Sequence, residues 1–194
     1  MMELILLQPP FTIETVLSEI ETFVLAEYYK SGSTPETITS NKVLASGFKL
    51  YANWEITLDL KVQGPANAWS KILTVRKKGF PKGKYGCRVP TLVIDPHGQL
   101  EVSASFSGKW NWAWYSAKLD KTWFGLKLRH YDGNFQIYID NVLKHQYVNT
   151  QPQEWDDMEL VLGNHHTVTN GEYRNLLFQG FSPGKFLFLN ETVS

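Results

Sequence analysis

The 194-residue sequence has little cysteine, no net charge and no long apolar run. Its single cysteine, Cys87, excludes a disulfide within the chain, as is typical of a reducing compartment or of a domain large enough to fold without cross-links. Lysine plus arginine and aspartate plus glutamate each number 19, so the formal net charge is zero. Such a chain gives no support for nucleic-acid binding, which needs a strongly basic surface. No stretch of about 18 apolar residues occurs, so no membrane span is predicted.

The composition is that of a folded globular domain. Hydrophobic residues make up 43% and charged residues 20% of the chain, which excludes an intrinsically disordered protein. The first residues have neither the basic region nor the small-residue cleavage site of a signal peptide. The one strongly basic stretch, residues 75–88 (VRKKGFPKGKYGCR), is predicted to be a solvated loop. Nothing in the sequence indicates an oligomeric state.

The N-terminal segment has a helical pattern. Between residues 12 and 29, apolar side chains recur at i, i+3, i+4 and i+7, and Thr12 is a suitable N-cap. We therefore predict one amphipathic helix over 12–29 and a linker over 30–37; the stretch FVLAEYY at 23–29 could instead be an edge strand. The sequence then divides into an N-terminal segment, 1–37, and a β-sandwich domain, 38–194.

From about residue 42 the hydrophobic period changes to two. WEITLDLKV at 54–62 alternates apolar and polar residues, as a strand with one buried face does. WFGLKLRHYDGNFQIYIDN at 123–141 predicts a hairpin that turns at Asp132-Gly133-Asn134. About twelve short strands follow in this way, separated by turn residues. The predicted fold is all-β, an antiparallel β-sandwich or jelly roll with one N-terminal helix.

The stretch GKWNWAWYSA at 108–117 places tryptophans at every second position. Alternate residues of a strand share a face, so Trp110, Trp112 and Trp114 are predicted to stand in a row. One interpretation is that this row belongs to the core, since each exposed indole would forfeit a few kcal/mol of burial. The other is an aromatic platform for a ligand, because sugars and peptides both bind on exposed indoles. The residues assigned to ligand binding in that case are Trp110, Trp112, Trp114, Tyr115 and Trp123, with Trp69 as an extension.

Several stretches together resemble the concanavalin A-like, laminin-G-like jelly-roll superfamily. They are WEITLDLKV, RVPTLVIDPHGQLEVS, TWFGLKLRHYDGNFQIYIDNVLKHQ, EWDDMELVLGN and GEYRNLLF. The resemblance covers about residues 42–180. The resemblance implies a β-sandwich whose concave sheet face is the usual ligand surface. It also implies three function classes: glycan-binding lectins, protein-binding extracellular modules and glycoside hydrolases. It favours the extracellular or cell-surface region of a larger protein as the location.

The motif EWDDME offers a catalytic alternative. Glu154, Asp156 and Glu159 fit the E-x-D-x-x-E arrangement that the resemblance associates with retaining glucanases. That chemistry needs two carboxyl groups about 5 Å apart on either side of the scissile bond. Against it, Glu159 lies in a strand pattern whose apolar face is Met158 and Leu160, so it should point to the opposite, solvated face.

No residue pattern predicts a bound metal ion. His165 and His166 are adjacent, and adjacent strand residues face opposite ways, which makes a poor chelating pair. The resemblance leaves calcium open as a cofactor, because some laminin-G-like domains carry it on loop oxygens. Residues of the required type are Asp95, Asp132 and Asn164, but their spacing forms no calcium-binding loop.

These observations favour a non-catalytic recognition module. We expect it to bind a glycan or a protein partner through the concave sheet face or the loops. One alternative is a retaining glycoside hydrolase using Glu154, Asp156 and Glu159. The other is a structural interaction domain of a larger protein, in which the helix at 12–29 packs on a partner because its apolar face needs cover.

Overall fold

The computed structural model describes residues 23–62, 68–81, 83–120, 122–163 and 170–183. Within these ranges the chain forms thirteen β-strands and no helix. The strands are β1 Phe23–Lys30, β2 Glu36–Thr37, β3 Lys42–Leu50, β4 Asn53–Val62, β5 Ser70–Lys77, β6 Thr91–Ile94, β7 Gln99–Phe106, β8 Lys109–Lys118, β9 Trp123–Tyr131, β10 Asn134–Ile139, β11 Val142–Val148, β12 Trp155–Leu162 and β13 Gly171–Pro183. A search of the described residues for a helix able to cross a membrane finds none.

The strands form two antiparallel sheets that pack as a sandwich. The seven-stranded sheet has the order β1-β13-β4-β9-β10-β11, with β2 also paired to β13. The six-stranded sheet has the order β3-β12-β5-β6-β7-β8. The all-β sandwich predicted from the sequence is therefore confirmed. Of the thirteen strands in the described residues, eleven lie from residue 42 onward, where about twelve were expected, and β1 and β2 precede it.

Alternation along the strands builds the core between the sheets. In β4, five apolar side chains point inward and are at most 3% exposed: Trp54, Ile56, Leu58, Leu60 and Val62. Strands β9 and β10 alternate in the same way, with Leu128 and Phe135 fully buried. Burying each such side chain contributes roughly 1.5–3 kcal/mol, which is why the period of two in the sequence located the core correctly.

Tight turns set the register of the hairpins. The predicted β9–β10 turn lies at Asp132-Gly133, where both residues have positive φ, 46° and 68°. Positive φ at both central residues is the requirement of a type I′ turn, whose twist matches that of paired strands. The turn between β7 and β8 at Ser107-Gly108 has the same signature, φ 50° and 76°. This second turn positions β8, the edge strand of the six-stranded sheet.

The helix predicted over 12–29 is wrong for residues 23–29, which form β1 instead. The alternative, an edge strand, is what the structure shows: β1 pairs antiparallel with β13. The physical reason is Tyr28, whose ring stacks on Phe48 at 4.7 Å and meets the edge of Phe178 at 4.8 Å. Gly180 permits this approach, since a Cβ there would lie 2.0 Å from the Tyr28 hydroxyl.

The rest of the predicted helix, residues 12–22, lies outside the described residues. Strand β1 belongs to the seven-stranded sheet. A boundary between an N-terminal segment and the sandwich stays a prediction, and it would have to fall before Phe23 rather than at residue 37.

Candidate ligand-binding groove

A bulge in β8 splits the predicted row of tryptophans. Strand β8 pairs with β7 so that Trp112 lies opposite Ala104 and Lys109 lies opposite Phe106. Three steps along β8 therefore match two along β7, which places one extra residue in β8 and reverses the side-chain alternation. The prediction that all three indoles share one face is wrong at Trp110, because a sequence with regular alternation gives no sign of a bulge.

Trp112 and Trp114 lie on the inner side of β8, packed against the core. The ring of Trp112 contacts Phe135 at 5.7 Å and Tyr147 at 4.8 Å. His145 stacks on both indoles, at 5.6 Å from Trp112 and 6.1 Å from Trp114. Of the two interpretations, membership of the core therefore fits Trp112 and Trp114. The assignment of ligand binding to them stays a prediction.

The outer face of the six-stranded sheet carries a groove of about 400 Å³. Its described lining residues are Trp69, Lys71, Arg88, Val93, Glu101, Asn111 and Tyr115. Two aromatic rings form one side: Trp69 and Tyr115 meet edge to face, 6.3 Å between ring centroids. Both are unusually exposed for large aromatic residues, at 48% and 46%. Tyr115 faces outward because it lies opposite Glu101 of β7, whereas Trp69 immediately precedes β5.

The floor of the groove is polar and ordered by Arg88. Its Nη1 lies 3.5 Å from Oε1 of Glu101 and donates hydrogen bonds to Oγ of Ser103 at 3.1 Å and Oδ1 of Asn111 at 2.5 Å. The guanidinium also lies over the ring of Trp110, 5.3 Å from its centroid. Trp110, turned outward by the bulge and 40% exposed, therefore holds Arg88 in place beside the groove.

The phenol of Tyr115 is a hydrogen-bond donor at neutral pH. Partial burial raises its pKa, and the nearby carboxylate of Glu101 raises it further. The groove thus combines two aromatic faces with a phenol, a guanidinium, an ammonium, an amide and one carboxylate. This set can hold a ligand that has apolar C–H faces and several hydroxyl groups.

Trp123 lies on the other sheet, away from these residues. It begins β9, where the Arg174 guanidinium lies 4.5 Å and the Lys61 ammonium 6.0 Å from its ring centroid. A second groove of about 410 Å³ opens on that sheet, with a lining that includes Asp59 and Asp140. Both carboxylates are occupied: Asp59 accepts from Arg174 at 3.1 Å, and Asp140 accepts from the Gly125 amide at 2.8 Å. Trp123 and Tyr115 therefore belong to different surfaces.

The three residues of the catalytic alternative do not converge on the Trp69–Tyr115 groove. Glu159 is 8% exposed and pairs with Arg76 of β5, Oε1 to Nε 2.6 Å. Glu154 pairs with Lys49 of β3 at 2.7 Å, and Asp156 is exposed. Glu159 lies in β12 and Glu154 immediately precedes it. Because β12 runs between β3 and β5, the two glutamates pair with cations on opposite sides of that strand.

The residues named for calcium are not gathered either. Asp95 is 3% exposed, and its Oδ1 accepts hydrogen bonds from the amides of His97 at 2.9 Å and Gln99 at 2.8 Å, which closes the β6–β7 turn. Asp132 lies in the β9–β10 turn, and Asn164, like the histidine pair beside it, falls outside the described residues. Among the residues that the structure describes, no group of three His, Cys, Asp or Glu side chains could hold a metal ion.

Sequence reasoning missed the two charged residues of the groove floor, Arg88 and Glu101. Arg88 ends the basic stretch 75–88 that was predicted to be a solvated loop. Its backbone is instead tied to β7, since its carbonyl accepts from the Ser105 amide at 2.7 Å. The available signal was the polar face of LEVSASF, which includes Glu101. Nothing in the sequence shows that this face meets Arg88.

Comparison with known proteins gives the fold. No family model and no curated protein matches the sequence. Among solved structures, the binding domain of botulinum neurotoxin DC in complex with SialylT is similar at a TM-score of 0.53 and 11% identity, covering 78% of this chain and 47% of that one. The same domain in complex with rat synaptotagmin II is similar at a TM-score of 0.52 and 11% identity, with the same coverage of both chains. Trypanosoma rangeli sialidase in complex with a difluoro-nononic acid is similar at a TM-score of 0.53 and 11% identity, covering 79% of this chain and 29% of the sialidase. This chain therefore spans about half of the neurotoxin domain, and the likeness is one of β-sandwich fold.

Proposed function

We propose that this protein is a non-catalytic recognition module that binds a glycan in the Trp69–Tyr115 groove. The observation that carries the proposal is the pair of exposed aromatic rings beside an ordered polar floor. Large exposed aromatic side chains forfeit burial energy, and their clustering at a groove is typical of a binding surface. We also propose that the chain belongs to the concanavalin A-like, laminin-G-like superfamily, as its sequence pattern suggests.

The chemistry of the groove suits a sugar ring. Sugars present C–H groups on one face, which pack on aromatic rings, and hydroxyl groups at their edges, which need both donors and acceptors. Asn111 and Tyr115 supply donors, and Glu101 supplies an acceptor. Arg88 and Trp110 fix these groups before the ligand arrives, which lowers the ordering cost of binding.

A protein ligand is the competing outcome within the same class. The similar binding domain of botulinum neurotoxin DC is in complex with SialylT in one structure and with rat synaptotagmin II in another, so this fold accommodates different ligands. The groove favours the glycan because its floor is charged and hydrogen-bonded rather than apolar. A hydrolase is less well supported: of the described residues that line the groove, Glu101 is the one carboxylate, and a retaining glycosidase needs two about 5 Å apart.

A glycan array tests the proposal. Wild type, Trp69→Ala and Tyr115→Ala are compared with Trp123→Ala, a matched control that removes an aromatic ring from the outer face of the other sheet. We expect wild type and Trp123→Ala to bind the same glycans. Each groove variant should lose at least tenfold in affinity, which corresponds to about 1.4 kcal/mol of binding free energy. Circular dichroism verifies that every variant is folded. The proposal is overturned if folded wild type binds no glycan, or if the control loses as much binding as the groove variants.

A further inference from the structure

We infer that the groove selects neutral, hydroxyl-rich sugars over acidic ones, and that Glu101 is the residue that sets this selection. The inference rests on the proposed function, because it concerns the ligand of the same groove. It goes further by naming the ligand class and the side chain that excludes the other class.

Arg88 already has a counter-ion in Glu101. The side chains of Arg88 and Glu101 are 22% and 7% exposed, and their charged atoms lie 3.5 Å apart. Charges so shielded from water interact more strongly than exposed ones and are less screened by salt. The guanidinium that would otherwise attract an anionic sugar is therefore neutralised by a carboxylate built into the sheet.

The backbone of Glu101 is fixed by strand pairing, and its carboxylate is paired with Arg88. Glu101 lies in the middle of β7, paired with Val93 of β6 on one side and with Tyr115 of β8 on the other. The guanidinium is fixed as well, by Ser103 and Asn111. An acidic sugar placed against this floor would bring its charge close to the Glu101 carboxylate, a repulsion that disfavours that class of ligand.

A neutral sugar gains from the same carboxylate. An ionised carboxylate only accepts hydrogen bonds, and two neighbouring hydroxyl groups can donate to it together. Hydrogen bonds to a charged acceptor are roughly twice as strong as neutral ones. Glu101 thus strengthens the binding of a sugar that has a hydroxyl group at this position and weakens the binding of one that has a carboxylate there.

Lys71 is the other cation of the lining, and it sets the sharpest control. It lies on β5 opposite Val93 and is more exposed than Glu101, so water and salt weaken its pull on an acidic ligand. If long-range positive charge governed the groove, Lys71→Gln would alter the preference more than Glu101→Gln. If the buried pair governs it, the order is reversed.

The experiment uses sugars that differ only at C6. The methyl glycosides of glucose and galactose are titrated calorimetrically against the protein beside those of glucuronic and galacturonic acid, with wild type, Glu101→Gln and Lys71→Gln. We expect wild type to bind the neutral member of at least one pair tenfold or more tightly than its acidic counterpart. Glu101→Gln should weaken the binding of the neutral sugar and strengthen that of the acidic one, so that the ratio of the two affinities falls at least tenfold. Lys71→Gln should change this ratio less than Glu101→Gln does.

The outcomes separate this inference from the proposed function. Tighter binding of the acidic members by wild type overturns the selection but leaves a glycan-binding groove. An unchanged ratio in folded Glu101→Gln overturns the role of Glu101. Absence of binding by any sugar here and on the glycan array overturns both proposals. Should Glu101→Gln fail to fold, the wild-type ratio at low and high salt still decides: a neutral preference supports the selection, and an acidic preference that salt abolishes refutes it.

Discussion

Acidification should destabilise this protein through one buried histidine, His130. The ring is 2% exposed and lies between Trp54 and Phe106, with centroid distances of 5.8 and 5.3 Å. Its Nδ1 lies 2.5 Å from the Ala52 carbonyl and donates to it, while Nε2 accepts from the Asn149 amide at 3.0 Å. These partners assign a neutral ring with its proton on Nδ1. Burial lowers the pKa of His130, although the hydrogen bond to Ala52 opposes that shift.

The size of the effect follows from proton uptake by the two states. An unfolded histidine takes up a proton below its ordinary pKa of about 6.5, whereas folded His130 resists it. The unfolded state therefore binds more protons below about pH 6.5, and the free energy of unfolding falls as the pH drops. Below about pH 6.5 each pH unit lowers the free energy of unfolding by up to about 1.4 kcal/mol. Since only the lower half of the range from about pH 7.5 to about pH 5.5 lies below the ordinary pKa, the total loss over the range is about 1.4 kcal/mol at most. Above about pH 7.5 both states are neutral and His130 adds no pH dependence.

Urea denaturation at about pH 7.5, 6.5 and 5.5 measures this loss. The matched variant is His130→Gln, which keeps a side-chain amide beside Ala52 and Asn149 but does not titrate. The other four of the five histidines stay in both proteins, so the difference between the two pH profiles isolates His130. We expect wild type to lose about 1 kcal/mol more than the variant over this range. Parallel profiles would refute the argument, whatever the absolute stability of the variant.

Two further predictions concern packing, and urea denaturation checks both. Trp112→Ala should lower the free energy of unfolding by about 3 kcal/mol, as truncations of core aromatic residues do. Trp110→Ala should lower it by less than half of that, because Trp112 packs on the core and Trp110 does not. A larger loss for Trp110→Ala would contradict the faces assigned to the two indoles. Gly86→Ala should lower the free energy of unfolding by about 2 kcal/mol or more, since φ is +96° and a Cβ would lie 2.6 Å from the Trp155 ring. Gly79 has a φ of +68° and open space around it, so Gly79→Ala should show a smaller loss that comes from backbone strain alone.

The sequence predicted the sandwich well because period-two alternation has one physical cause. In β4 every second side chain is apolar, and each of these is buried. The same argument located the hairpin at Asp132-Gly133, where turn chemistry and alternation agree. It failed at residues 23–29, where Tyr28 is held by stacking on Phe48, a partner 20 positions further along the chain. A helical pattern and an edge strand are locally indistinguishable there, and only the tertiary contact decides.

The candidate groove could be predicted only in part, because its residues are set by exceptions to alternation. Tyr115 was assigned to ligand binding together with the three tryptophans of β8, and the bulge in β8 divides that set between two faces; the assignment itself stays a prediction. Trp110 lies on the outer face because of that bulge, and Arg88 lies there because its carbonyl accepts a hydrogen bond from the Ser105 amide of β7. Both exceptions depend on pairing between strands, which the order of polar and apolar residues does not encode.

The polar face of β7 shows how such a site is made. Glu101, Ser103 and Ser105 alternate with core residues along β7 and lie on its outer face, yet they are only 5%, 0% and 3% exposed. Ser105 accepts a hydrogen bond from the Gly86 amide at 2.9 Å and donates one to the Trp110 carbonyl at 3.1 Å, so the chain covers the sheet at this point. A polar residue buried on an outer face needs such partners. The same hydrogen bonds that satisfy it also stiffen the floor of the groove, and a stiff floor loses little entropy when a ligand binds. Loosening this network should therefore weaken binding even where no ligand-contacting residue is changed.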